Sequence, residues 1–161
     1  MSAWGKLYAR ELFDDIRFPV GKLHEDVGTT YKLVLKCPEI SISPAQKYLY
    51  YINSGSITQQ SFSLRKLDLI ELTDQMCDDL LAWSQSQSPE VQAQIEHLTQ
   101  KRRMHARFSI LRQIVVVEKS AISAMSKTDQ RSFKQVRRNT ARYLRKHKKY
   151  ITKNPLASKR D

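Results

Sequence analysis

The sequence predicts a mainly α-helical chain with one short β-strand, and three observations carry that prediction. Apolar residues recur at three- and four-residue spacings over most of the length, a single segment alternates with period two, and only four glycines punctuate 161 residues. No apolar run approaches the roughly 18 residues needed to cross a bilayer, and the opening MSAWGKLYARELFDD lacks the charged start and greasy middle of a signal peptide. A cytoplasmic or nucleoid-associated protein is therefore expected. Cys37 and Cys77 stand forty residues apart without a CxxC, so they build neither a disulfide framework nor a zinc cluster.

Residues 3–17 place Trp4, Leu7, Tyr8, Leu12, Phe13 and Ile16 on a helical stripe that ends at Phe18-Pro19. After a loop containing Pro19, Gly21 and Gly28, the segment from Thr30 to Lys36 alternates. Tyr31, Leu33 and Leu35 fall on one side and Lys32, Val34 and Lys36 on the other, which predicts the strand. Pro38 closes it, and Ser43-Pro44 reads as an N-cap plus first-turn proline that opens a helix to about Asn53, ended by Gly55. From Ser56 to about Gln87 the pattern is helical again. Phe62, Leu64, Leu67, Ile70 and Leu72 come first, then Thr73-Asp74 cap a run carrying Met76, Leu80, Leu81 and Trp83.

The polar tract Ser84-Gln85-Ser86-Gln87-Ser88 predicts a linker. It divides the chain into a core and dimerisation region at 1–85 and a helical basic region at 88–155, followed by a disordered tail at 156–161. Ser88-Pro89 repeats the cap-and-proline signal, and Val91, Ile95, Leu98, Phe108, Leu111, Val115, Ile122 and Met125 continue at near-helical spacing. The β-branched run from Ile114 to Val117 would also suit a buried strand, but with no turn signal on either side it is read as part of that helix. The last helix opens at Ser126 or Thr128 and carries Phe133, Val136, Tyr143 and Tyr150 on one side.

Charge is the most informative property once it is divided. The chain has 28 Lys and Arg against 16 Asp and Glu, yet residues 101–161 hold 19 basic and 3 acidic residues, leaving the first hundred net acidic. A cationic excess confined to one end creates a directional field that attracts a polyanion. Lys134, Arg137, Arg138, Arg142, Arg145, Lys146, Lys148 and Lys149 crowd one helix, where they can track a phosphate backbone. Half of these residues are arginine, whose planar fork binds phosphate or guanine edges in two places at once.

Catalytic patterns are lacking by comparison. His24, His97, His105 and His147 are scattered, and no GxSxG, GxGxxG, HExxH or phosphate-cradling loop occurs. The acidic pairs Asp14-Asp15, Glu25-Asp26 and Asp78-Asp79 could hold a divalent ion in a nuclease, but adjacent helical residues point about 100° apart. The expectation is a non-catalytic protein without metal, cofactor or small-molecule ligand.

The order strand, Pro, helix, Gly, helix over residues 30–72 resembles the ribbon-helix-helix family of DNA-binding proteins. The matching residues are Tyr31-Lys32-Leu33-Val34-Leu35-Lys36 for the ribbon, Cys37-Pro38-Glu39 for the step into the first helix and Asn53-Ser54-Gly55-Ser56 for the turn. The resemblance implies a dimer whose strand enters the major groove with Lys32, Val34 and Lys36 toward the bases. The expected function is a dimeric transcriptional regulator that prefers DNA to RNA, with the basic helix on phosphates and the strand reading bases. An RNA-binding or ribonucleoprotein component, and an adaptor docking an acidic protein, are the alternatives.

Overall fold

The computed structural model describes residues 2–51, 62–117 and 119–148. Among the described residues there are five α-helices: α1 (Glu25–Lys36), α2 (Asp68–Ser84), α3 (Pro89–Val115), α4 (Lys119–Ala124) and α5 (Lys127–Lys146). Single 3-10 turns lie at Arg10–Phe13 and Leu64–Leu67. α3 is the spine of the fold, with α2 and α5 lying against it and α1 packing on α2.

Two apolar clusters hold these helices. Val27 and Tyr31 of α1 meet Leu72, Met76 and Cys77 of α2. Ile110 and Ile114 of α3 meet Phe133 of α5 and Phe62, whose ring stands edge-on to Phe133 with centroids 5.7 Å apart. Leu69 packs against both clusters and ties them together. Each buried aliphatic or aromatic side chain contributes about 1.5–3 kcal/mol by leaving water.

The local signals for α3 and α5 hold. Ser88 Oγ accepts from Val91 N–H ahead of Pro89, and Ser126 Oγ accepts from Asp129 N–H at 3.1 Å. The tract after Ser84 is the turn between α2 and α3, and α3 ends at Val115, inside the β-branched run.

The single strand does not exist: no strand occurs among the described residues, and Thr30 to Lys36 belongs to α1. The fold is all-helical there, and the ribbon-helix-helix sheet is absent with it. The cause is burial. Val27, Gly28, Thr29, Thr30, Tyr31 and Leu33 are all buried, so α1 is covered around most of its girth and only the narrow stripe of Glu25, Lys32 and Lys36 marks its 3.6-residue period. Tyr31 and Leu33, two apart, are both inside for that reason and not because of a pleat.

Three further boundaries differ. Only the 3-10 turn at Arg10–Phe13 forms within residues 3–17, where Gly5 takes a left-handed φ of 68° that interrupts any helix begun before it. Ser43 Oγ does accept from Ala45 N–H, but this turn does not propagate, and residues 38–51 are non-helical. Asn53 and Gly55 lie outside the described residues, as do Lys149, Tyr150 and the tail at 156–161. Thr73 and Asp74 sit inside α2 instead of capping a second run. No helix described here is long and apolar enough to cross a membrane.

Candidate functional site

The basic helix is held by one apolar side. Phe133 and Thr140 of α5 are buried, Val136, Tyr143 and Leu144 are half-buried beside them, and this spacing of three and four turns the rest of the helix outward. Lys134, Arg137, Arg138, Arg142, Arg145, Lys146 and Lys148 are all exposed. None of them makes an ion pair among the described residues. Asp129, the acid of the first turn, is occupied with the Ser126 cap.

The structure adds one residue to this face. Arg131, Lys134, Arg138, Arg142 and Arg145 follow one another at intervals of three and four, forming a continuous cationic stripe on exposed positions. At 1.5 Å per residue the stripe runs about 21 Å. Arg131 was legible from that spacing alone, although the density of charge nearer the end of the helix overshadows it.

A polar ladder fixes how the helix sits. The guanidinium of Arg107 on α3 donates to both carboxylate oxygens of Asp74 on α2, at 2.9 and 2.6 Å, and stacks 4.0 Å over the Tyr143 ring of α5. Arg103, one turn before Arg107, reaches Asp78 at 2.6 Å. The Tyr143 ring also stacks on His147, with centroids 4.1 Å apart, so two contacts hold this ring and it anchors the helix. Burial raises the Tyr143 pKa, against the opposing pull of Arg107.

Lys32 and Lys36, expected to read bases from a strand, stand on α1 instead. The Lys32 ammonium lies 5.7 Å from the centroid of the Tyr31 ring, and Lys36 is paired with Asp15. The geometry does not bring them to the α5 stripe, and a strand-based readout by them lapses with the strand.

The three acidic pairs have different surroundings. Asp15 holds Lys36, Asp78 holds Arg103, and Asp79 accepts from the Tyr31 hydroxyl. Glu25 and Asp26, in the first turn of α1, make no ion pair among the described residues, and Asp26 Oδ1 accepts from Val27 N–H. The helix dipole favours negative charge there. Burial raises the pKa of nearby Tyr8, and the Asp26 charge adds a smaller push in the same direction. The described residues contain no group of three His, Cys, Asp or Glu able to hold a metal ion.

No family model matches the chain, and no solved structure does. The chain is similar to a glycosyltransferase, GlyA, of Streptococcus pneumoniae, with 39% identity over 59 residues. That match takes in 37% of this chain and 8% of the relative.

Proposed function

We propose that this chain is a helical component of a glycosyltransferase and contributes an acidic pair to the transfer site. The observation that carries the reading is the 39% identity with GlyA over 59 residues. Moving a sugar from an activated donor to an acceptor hydroxyl requires a group that takes the hydroxyl proton, a task suited to a carboxylate. Glu25 and Asp26 are the candidates, since among the described residues neither makes an ion pair, although Asp26 Oδ1 accepts from Val27 N–H, whereas the other two acidic pairs spend a carboxylate on Lys36, Arg103 or Tyr31.

The test is complementation. GlyA lacking the stretch that matches this chain is co-expressed with the full 161-residue chain, and transfer is assayed with UDP-glucose, UDP-galactose and UDP-N-acetylglucosamine. The expected result is transfer that appears only when the chain is present and falls by about 10²–10⁴ in Glu25→Gln or Asp26→Asn. Transfer from none of these donors overturns the reading.

A second reading rests on a separate observation, the unpaired cationic stripe of α5. Here the stripe grips a nucleic-acid backbone, DNA in preference to RNA, without reading bases. Fluorescence anisotropy against duplex DNA and duplex RNA at about 50 and 200 mM salt tests it. Six to ten phosphate contacts imply a fall in affinity of about 10³–10⁵ over that range. A flat curve overturns it.

A further inference from the structure

α1 and α3 both lie on α2, and between them they leave a groove. Met76, Cys77 and Leu80 of α2 form its floor, with Leu35 of α1 on one wall and Leu98 of α3 on the other. The rims keep apolar groups in water, since Leu35 is 37% and Leu98 52% exposed. The groove holds about 390 Å³. At about 30 Å³ for each non-hydrogen atom, the share of a molecule in liquid water, that is room for about a dozen such atoms. Eleven residues line it, whereas a stable protein–protein contact takes about 20–30 residues a side, so the space is on the scale of a small molecule.

The polar groups of the lining decide what kind of molecule fits. The Tyr31 hydroxyl donates to Asp79, the Cys77 thiol to the Thr99 carbonyl, and Thr99 Oγ1 to the Glu96 carbonyl, so these three are satisfied inside the protein. Arg102 is different: it is half-buried, and its guanidinium makes no ion pair among the described residues. Burial raises the Cys77 pKa while the charges of Arg103 and Arg102 oppose the rise, so the Arg102 cation is felt at the floor of the groove. Arg103 is already taken by Asp74 and Asp78. None of the residues lining the groove is acidic. On α3 the lining runs from Ile95 to Arg102, which puts the cation at one end of an apolar path about 10 Å long at 1.5 Å rise per residue.

Apolar walls, one unpaired guanidinium and no carboxylate complement a molecule with a hydrocarbon body and one anionic end. A guanidinium meets a carboxylate through two parallel hydrogen bonds, and a single cation balances a monoanion better than the nearly doubly charged phosphate monoester. We propose that this groove binds an unesterified straight-chain carboxylate of about ten carbons, its carboxylate on Arg102 and its hydrocarbon between Leu35 and Leu98. The site uses neither Glu25 and Asp26 nor the α5 stripe, so it stands apart from both readings above.

Decanoate is titrated into the full chain by isothermal calorimetry below its micelle-forming concentration, with decyltrimethylammonium as the cationic counterpart. The expected result is one decanoate per chain with a Kd below about 1 mM, and no binding of the cation. Arg102→Gln weakens decanoate by about 10–100-fold, and Arg102→Lys, which keeps the charge but loses the fork, weakens it less. Leu98→Asp abolishes binding, and all three variants keep the helical circular dichroism signal, because neither side chain is buried. Arg138→Gln combined with Arg142→Gln leaves the affinity unchanged. No saturable binding, equal binding of the cationic amphiphile, or a loss that follows the α5 variant and not Arg102→Gln overturns the proposal. A chain that sediments as a dimer and becomes monomeric in Leu98→Asp makes a second copy the occupant, and overturns it as well.

Discussion

Single side chains in this fold are governed by what covers them. Burial pushes the Cys77 thiol up to about 11, so at pH 8 it stays protonated, and its hydrogen points to the Thr99 carbonyl. Since the thiolate is the reactive form, a disulfide reagent at pH 8 should modify Cys37 at once and Cys77 only after denaturant is added. Rapid loss of two thiols from the native protein contradicts that expectation. Gly28 is a second case. A Cβ there would sit 2.9 Å from Leu72 Cδ2, which is buried in the α1–α2 cluster and has little room to retreat. Gly28→Ala gains about 0.8–1 kcal/mol of helix propensity but incurs about 1–3 kcal/mol of overpacking, so urea midpoints should fall by an amount equivalent to about 1 kcal/mol. Asp68 is the third. Burial raises its pKa, but the Leu23 N–H and Lys22 outweigh this and hold it below the usual carboxylate range. A depressed native pKa gives stability that is full above the unfolded value near 3.9 and is lost as pH falls through the native value. Asp68→Asn should therefore lower stability at pH 7 and flatten the acid limb below pH 4, a pattern that thermal melts across pH 2–7 will reveal.

At the scale of elements, the sequence was legible where the chemistry is local. Ser88-Pro89 and Ser126 with Asp129 mark their helices because a cap needs only its own next three residues. Ser126→Ala should cost about 1 kcal/mol and loosen the start of α5, measurable as faster exchange of the Asp129 and Gln130 amides. α1 was illegible for the opposite reason: its faces are decided by α2 and by the 3-10 turn at Arg10–Phe13, partners that period counting does not see. The basic stripe was readable, since nothing beyond α5 is needed to expose it. Which acidic pairs are held in ion pairs or hydrogen bonds was not, because it depends on where Lys36, Arg103 and Tyr31 end up in three dimensions.

The whole molecule is asymmetric in two respects, with cations collected on α5 and uncovered apolar groups in residues 38–51. An open exposed segment is what a protease can thread into its cleft. Trypsin at low ratio should cut after Lys47 before it cuts the more numerous basic sites of α5, which are held in a packed helix. First cleavage within residues 131–146 is the opposite outcome. The position of α3 has a consequence for cooperativity. Because α2 and α5 both lie against it, and Arg107 of α3 is fastened to Asp74 on one side and stacked on Tyr143 on the other, neither neighbour can melt while α3 keeps its native surroundings. An anion held on α5 at 100 times its Kd should therefore add about 2.7 kcal/mol to the stability of α2 as well, a helix it never touches.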